Sequence, residues 1–85
     1  MLLILTSVDG AYRAFGTPHQ ELLREVRADE AEQLLAAGEF SAGSMGPKIE
    51  AACDFVRSGG HRAIIARLDQ GLEAVQGTAG TSIVP

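Results

Sequence analysis

Eighty-five residues suffice for one small domain with a modest core. A net charge of −4 argues against nucleic acid or an anionic membrane as a partner, because both require concentrated Lys and Arg. A phosphate site stays open, since it needs only one or two cations and some backbone N–H groups. The lone cysteine, Cys53, cannot form an internal disulfide and suits a reducing, cytoplasmic setting. The apolar opening Met1-Leu2-Leu3-Ile4-Leu5 lacks a basic n-region and yields to Thr6-Ser7-Val8-Asp9, so a secretory signal is not expected. No stretch approaches the roughly 20 apolar residues of a membrane helix.

The continuous apolar run at 2–5 predicts a strand covered on both faces, ended by a polar turn at 7–10. Residues 11–15 follow as a short extended segment before the turn Gly16-Thr17-Pro18. The first clear helix starts near Asp29, where Asp29 and Glu32 have the spacing of a capping box and acids fill the first turn. Ala31, Leu34 and Leu35 form its apolar stripe, and Gly38 is placed to end it. A glycine-bearing loop at 41–46 leads into a second helix over 47–57, with Pro47 in its first turn. Ile49, Ala52, Cys53 and Val56 line one face, and Gly59-Gly60 closes it. Ala63-Ile64-Ile65 predicts a second buried strand. Asp69 is placed to cap a short third helix carrying Leu72 and Val75 and closed by Gly77, and 81–84 predicts a last strand. The order strand–helix–helix–strand–helix–strand implies an α/β layer structure, without repeat, linker or low-complexity segment.

Two segments can carry chemistry. In Gly43-Ser44-Met45-Gly46-Pro47-Lys48, small residues let the backbone approach an anion, the helix entry offers free N–H groups, and Lys48 adds a full charge. The Walker A spacing and its Lys-Ser/Thr ending are absent. The same residues also suit a glycine-rich helix entry with an ordinary surface lysine. Thr6-Ser7-Val8-Asp9-Gly10 follows the first strand, and ligands of open α/β sheets gather at carboxyl ends of strands. Asp-Gly is equally a common turn pair. His19 and His61 lack metal-ligand company, Cys53 reads as a small core residue, and the acids at 29–32 read as a solvated helix start. No metal-ligand set is recognisable.

Together these segments resemble the carbamate kinases of the amino-acid-kinase family over nearly the whole chain. The resemblance lies in Leu3-Ile4-Leu5-Thr6-Ser7-Val8-Asp9-Gly10-Ala11-Tyr12, in Phe15-Gly16-Thr17-Pro18 with Gln20, and most specifically in the run from Gly38-Glu39-Phe40 through Ser44-Met45-Gly46-Pro47-Lys48 to Ala52. Arg62-Ala63-Ile64-Ile65 after Gly59-Gly60, and the run Gly77-Thr78-Ala79-Gly80-Thr81-Ser82-Ile83-Val84, extend it. Ser7 stands where many amino-acid kinases carry Asp, and Ala14 where the family turn often has Asn.

The resemblance implies a partial three-layer α/β/α amino-acid-kinase-like fold, with a mainly parallel sheet and flanking helices. It implies that residues 1–85 form a single segment, the C-terminal nucleotide-binding part, with the N-terminal substrate half lying outside this sequence. The implied reaction is phosphoryl transfer between carbamoyl phosphate with ADP and carbamate with ATP, assisted by Mg²⁺, within arginine metabolism. Lys48 corresponds to the family lysine that contacts nucleotide phosphates. Thr6, Ser7, Val8, Asp9, Gly10, Tyr12, Ser44, Met45, Gly46, Pro47 and Lys48 would surround ADP or ATP. The implied partners are the nucleotide, carbamoyl phosphate or carbamate, and a second copy in a homodimer or a complementing N-terminal half. Standing alone, the fragment is expected to be inactive and to expose strand edges and apolar helix faces. A remnant or interaction module of the same fold, or part of a related amino-acid kinase, is the alternative.

Overall fold

The computed structural model describes residues 1–40 and 45–85. In chain order the elements are β1 (Leu2–Thr6), β2 (Tyr12–Arg13), β3 (Glu21–Leu22), β4 (Glu25–Arg27), α1 (Ala28–Ala36), α2 (Met45–Arg57), β5 (Ala63–Arg67), α3 (Gly71–Val75) and β6 (Thr81–Val84). A 3-10 turn, Leu68–Gln70, precedes α3. The two apolar runs become adjacent strands: β1 lies parallel to β5, with Leu2 opposite Ala63 and Thr6 opposite Arg67. β6 is antiparallel to β5 and parallel to β4, giving the order β1-β5-β6-β4. Two of the three pairings are thus parallel, and β2 with β3 forms a separate two-rung hairpin.

Strand alternation divides the core into two layers. Ala63, Ile65 and Ile83 face α1 and α2, where they meet Ala31, Ile49, Ala52, Cys53 and Val56. Ile64 and Ala66 point the other way, toward Ala74 of α3 and Leu3. The result is a three-layer α/β/α arrangement with a thick helical layer on one side and a single short helix on the other. Ile64 and Ile65 are both fully buried, and each such isoleucine contributes about 1.5–3 kcal/mol.

The glycine stops act as the sequence predicts. After α1, the N–H of Gly38 donates to the Leu35 carbonyl and that of Glu39 to the Leu34 carbonyl, at 3.1 Å each. Gly59-Gly60 closes α2 and Gly77-Thr78 closes α3 by the same pair of bonds. In each case the glycine takes the positive φ that this Schellman closure requires.

Several expectations are corrected. α2 begins at Met45, two residues before Pro47. The capping box does not form: α1 starts at Ala28, its cap position is Arg27, and that residue makes no side-chain cap bond. Asp29 instead accepts from the N–H of Glu30 at 2.9 Å, and Glu32 pairs with Arg57 of α2 at 2.6 Å. Asp69 does not cap α3, because its carboxylate is engaged by Arg67. Leu72 and Val75 do not form that helix's buried face: they are 67% and 43% exposed, and Ala74 is buried instead. β1 is covered from both faces as expected, Leu2 and Ile4 packing on the α1–α2 side and Leu3 on the α3 side, but incompletely. It is an edge strand of the sheet among the described residues, and its Leu5 is 40% exposed.

Candidate functional site

The carboxyl end of β1 opens into a cavity of about 250 Å³. Thr6, Ser7, Val8 and Gly10 line it from the loop after β1, Tyr12 and Phe15 from the hairpin, Glu39 and Phe40 from the end of α1, and Met45 and Lys48 from the start of α2. The parallel pairing of β1 with β5 fixes where this loop emerges. The α1–α2 layer then brings the first turn of α2 against it. The apolar and aromatic part of its lining comes from Val8, Tyr12, Phe15, Phe40 and Met45. Opposite signs of charge enter through Lys48 and Glu39.

The hydroxyl of Thr81 anchors the loop from beneath. The fully buried Thr81 Oγ1 accepts from the Ala11 N–H at 2.9 Å and donates to the Leu23 carbonyl. The Leu23 N–H in turn donates to the Ala11 carbonyl at 2.9 Å. Gly10 sits so close that a Cβ there would lie 2.7 Å from Thr81 Oγ1. A side chain at this position would push the loop off its anchor.

A second set of contacts holds the loop from the side. Arg67 spans Asp69 (Nε to Oδ1, 2.7 Å) and Asp9 (Nη1 to Oδ1, 3.2 Å), and Asp9 Oδ2 accepts from the Tyr12 hydroxyl at 3.3 Å. All three ionic groups are substantially exposed, so the pairs orient the loop more than they stabilise the fold. The hydrogen bond to Arg67 holds the Asp69 carboxyl below its ordinary value, and the bond to Asp69 raises Arg67. Burial, then the neighbouring charge of Asp9, pushes the Tyr12 phenol up. Tyr12 and Phe15 lie with ring centroids 5.7 Å apart at a tilt of 58°.

Of the residues singled out in sequence, the cavity brings together Thr6, Ser7, Val8, Gly10, Tyr12, Met45 and Lys48. Asp9 lies outside the lining, with its carboxylate engaged by Arg67 and Tyr12. Gly46 is buried against the Phe40 carbonyl and Leu35, and Pro47 faces solvent. Ser44, like all of 41–44, lies outside the described residues. Phe15, Glu39 and Phe40 also line the cavity; they carry part of the family resemblance but were not assigned to the nucleotide site. Glu39 and Phe40 stand directly before the glycine-bearing loop, which is the local feature that points to them beside the resemblance. Among the described residues no group of three or more His, Cys, Asp or Glu is placed to hold a metal ion. None of their helices is long and apolar enough to cross a membrane.

The comparisons with known proteins agree with this architecture. The profile of the amino acid kinase family matches residues 1–67. A carbamate kinase of Halobacterium salinarum is 54% identical over 83 residues, spanning 98% of this chain and 27% of the relative. One from Pyrococcus horikoshii is 47% identical over 85 residues, again with 27% of the relative covered. A carbamate kinase from Giardia lamblia, solved bound to AMP-PNP, superposes with a TM-score of 0.91 at 38% identity, over 98% of this chain and 26% of that one. The chain thus spans about a quarter of the length of these relatives. With the profile match running from β1 through β5, the chain belongs to the amino acid kinase family.

Proposed function

We propose that this chain is the ADP/ATP-binding part of a carbamate kinase, lying toward that enzyme's C-terminal end. The observation that carries the reading is the convergence of Thr6, Ser7, Val8 and Gly10 with Met45 and Lys48 around one cavity with an aromatic wall. An apolar slot walled by Tyr12 and Phe15 suits a purine ring. The first turn of α2 and the Lys48 ammonium suit phosphate oxygens. The AMP-PNP bound to the similar Giardia enzyme favours a nucleotide here as well.

In phosphoryl transfer between carbamoyl phosphate with ADP and carbamate with ATP, the protein chiefly positions the partners and offsets charge on the moving group. Lys48 would offset phosphate charge, the loop at 6–10 would orient the nucleotide, and the aromatic wall would exclude water from one side. Mg²⁺ binds few protein carboxylates and several phosphate oxygens. In this reading the ion is carried in with the nucleotide. When bound it neutralises phosphate charge. The carbamoyl phosphate pocket would come from the remaining three quarters of a full-length enzyme, so the segment alone is inactive in this reading. Homodimerisation and a cytoplasmic location belong to the same proposal.

The test is titration of the chain with MgADP, followed by backbone amide NMR, beside Lys48→Ala. Shifts confined to 6–12 and 45–48, with affinity reduced about 10- to 100-fold in the variant, are expected from one lost charge-assisted contact. A folded spectrum indifferent to MgADP would refute the nucleotide reading. Recovery of ATP formation on mixing with the separately expressed N-terminal part of a carbamate kinase would support the placement. Recovery with a C-terminal part instead would reverse it.

A further inference from the structure

Glu39 answers to two parts of the molecule at once. Its backbone N–H completes the closure of α1 by donating to the Leu34 carbonyl at 3.1 Å, so its position is set by the helix. Its side chain leaves the helix and lines the cavity. There Oε1 accepts a hydrogen bond of 2.8 Å from the backbone N–H of Ala14, a residue 25 positions earlier in the chain.

Ala14 lies in the turn of the β2–β3 hairpin and has φ of +54°. An alanine takes this left-handed conformation only where its surroundings hold it there, because its Cβ crowds the backbone. Among the described residues the turn's other hydrogen bonds are internal. Ala14 C=O accepts from the Thr17 N–H at 3.2 Å and hydroxyl at 2.7 Å, and Gln20 accepts from the Gly16 N–H at 3.0 Å. A two-rung hairpin is marginal on its own, yet this one carries both Tyr12 and Phe15. Thr81 anchors its base through Ala11 and Leu23. At its tip, among the described residues, the hydrogen bond from outside the hairpin is the one to Glu39.

We infer that Glu39 is a positioning residue whose carboxylate latches the hairpin turn to the end of α1 and so sets the Tyr12–Phe15 wall against Phe40 and Met45. Its consequence for binding rests on the nucleotide reading; the latch itself does not. Two variants separate the terms. Glu39→Ala removes the acceptor, and Glu39→Gln keeps a neutral one, which accepts about half as strongly as a carboxylate.

Amide hydrogen exchange is measured without ligand at Ala14, with the core amide of Ile64 as reference. Glu39→Ala is expected to speed exchange at Ala14 about tenfold or more and Glu39→Gln about threefold, with Ile64 unchanged in both. The Kd for MgADP is then expected to rise about 3- to 10-fold in Glu39→Ala and less in Glu39→Gln. Unchanged exchange at Ala14 in a folded Glu39→Ala chain overturns the latch. Should that variant not fold, unchanged exchange in Glu39→Gln overturns it equally. Accelerated exchange with an unchanged Kd overturns the role in positioning the cavity wall. A wild-type chain that ignores MgADP sinks the nucleotide reading instead, and the exchange data still decide the latch.

Discussion

Replacing Thr81 by valine keeps the shape of the side chain and removes one oxygen. That oxygen is fully buried and serves the Ala11 N–H and the Leu23 carbonyl. In Thr81→Val both backbone groups lose their partner where no solvent reaches them. A buried group left unsatisfied costs about 1–3 kcal/mol, so the pair costs about 2–6 kcal/mol. At roughly 0.05–0.15 kcal/mol per residue, a chain of this length has about 4–13 kcal/mol in total. The substitution therefore consumes a large fraction of it. Since 1 kcal/mol shifts the midpoint by roughly 4–8 °C in a domain of this size, a drop in Tm of about 10 °C or more is expected. Urea and thermal unfolding followed by far-UV circular dichroism measure it. Thr81→Ser, which keeps the hydroxyl and sheds a methyl, is the control and is expected to lose about 1 kcal/mol. A Thr81→Val chain within 1 kcal/mol of wild type, or more stable than Thr81→Ser, would refute the assignment of that hydroxyl as the anchor.

Gly80→Ala places a Cβ 2.6 Å from the Ile65 carbonyl oxygen at a backbone φ of +82°, and a loss of about 3 kcal/mol or more is expected in the same unfolding assay. Burial first, and then the charge of Glu32, raises the Cys53 thiol above its ordinary value of 9.0. A raised folded value means that this contribution is fully present below the unfolded pKa and is lost as pH rises through the folded one. The stability of the wild-type chain is therefore expected to fall more steeply above pH 9 than that of Cys53→Ala; parallel curves would contradict the burial of the thiol. At pH 8 iodoacetamide is expected to label Cys53 only as fast as the chain opens, so labelling tracks urea concentration.

What could be read from the sequence follows the range of the interactions involved. The strands at 2–6, 63–67 and 81–84 announce themselves by local apolar runs, and α2 by a buried face at helical spacing. The stops at Gly38, Gly59 and Gly77 are legible because the Schellman closure depends on one residue's freedom at positive φ. β4 was not legible: three residues with one buried side chain, Val26, become a strand only through pairing with β6 far along the chain. Nor was the face of α3, where Leu72 and Val75 suggest a core stripe but the small Ala74 is the residue that fits against Ile64 and Ala66. The cap at Asp29 failed because Arg27 and Glu30 compete locally for its carboxylate. At the site, the loop after β1 and the entry of α2 carry local signals. Phe15, Glu39 and Phe40 reach the cavity only through tertiary convergence, and no short motif could point to their meeting.

The order β1-β5-β6-β4 seats the latest strand in sequence between two earlier ones. Its Thr81 bonds to Ala11 across 70 positions. A nascent chain synthesised only as far as residue 80 of this numbering would hold β5 and β4 without the strand that joins them. Assembly of the sheet must then await long-range loop closure, which places such a topology among the slower folders for its size. During that interval the open ladders of β4 and β5 are available to another chain as readily as to β6. Yield on expression should thus depend more on temperature and synthesis rate than on the equilibrium stability of the finished fold.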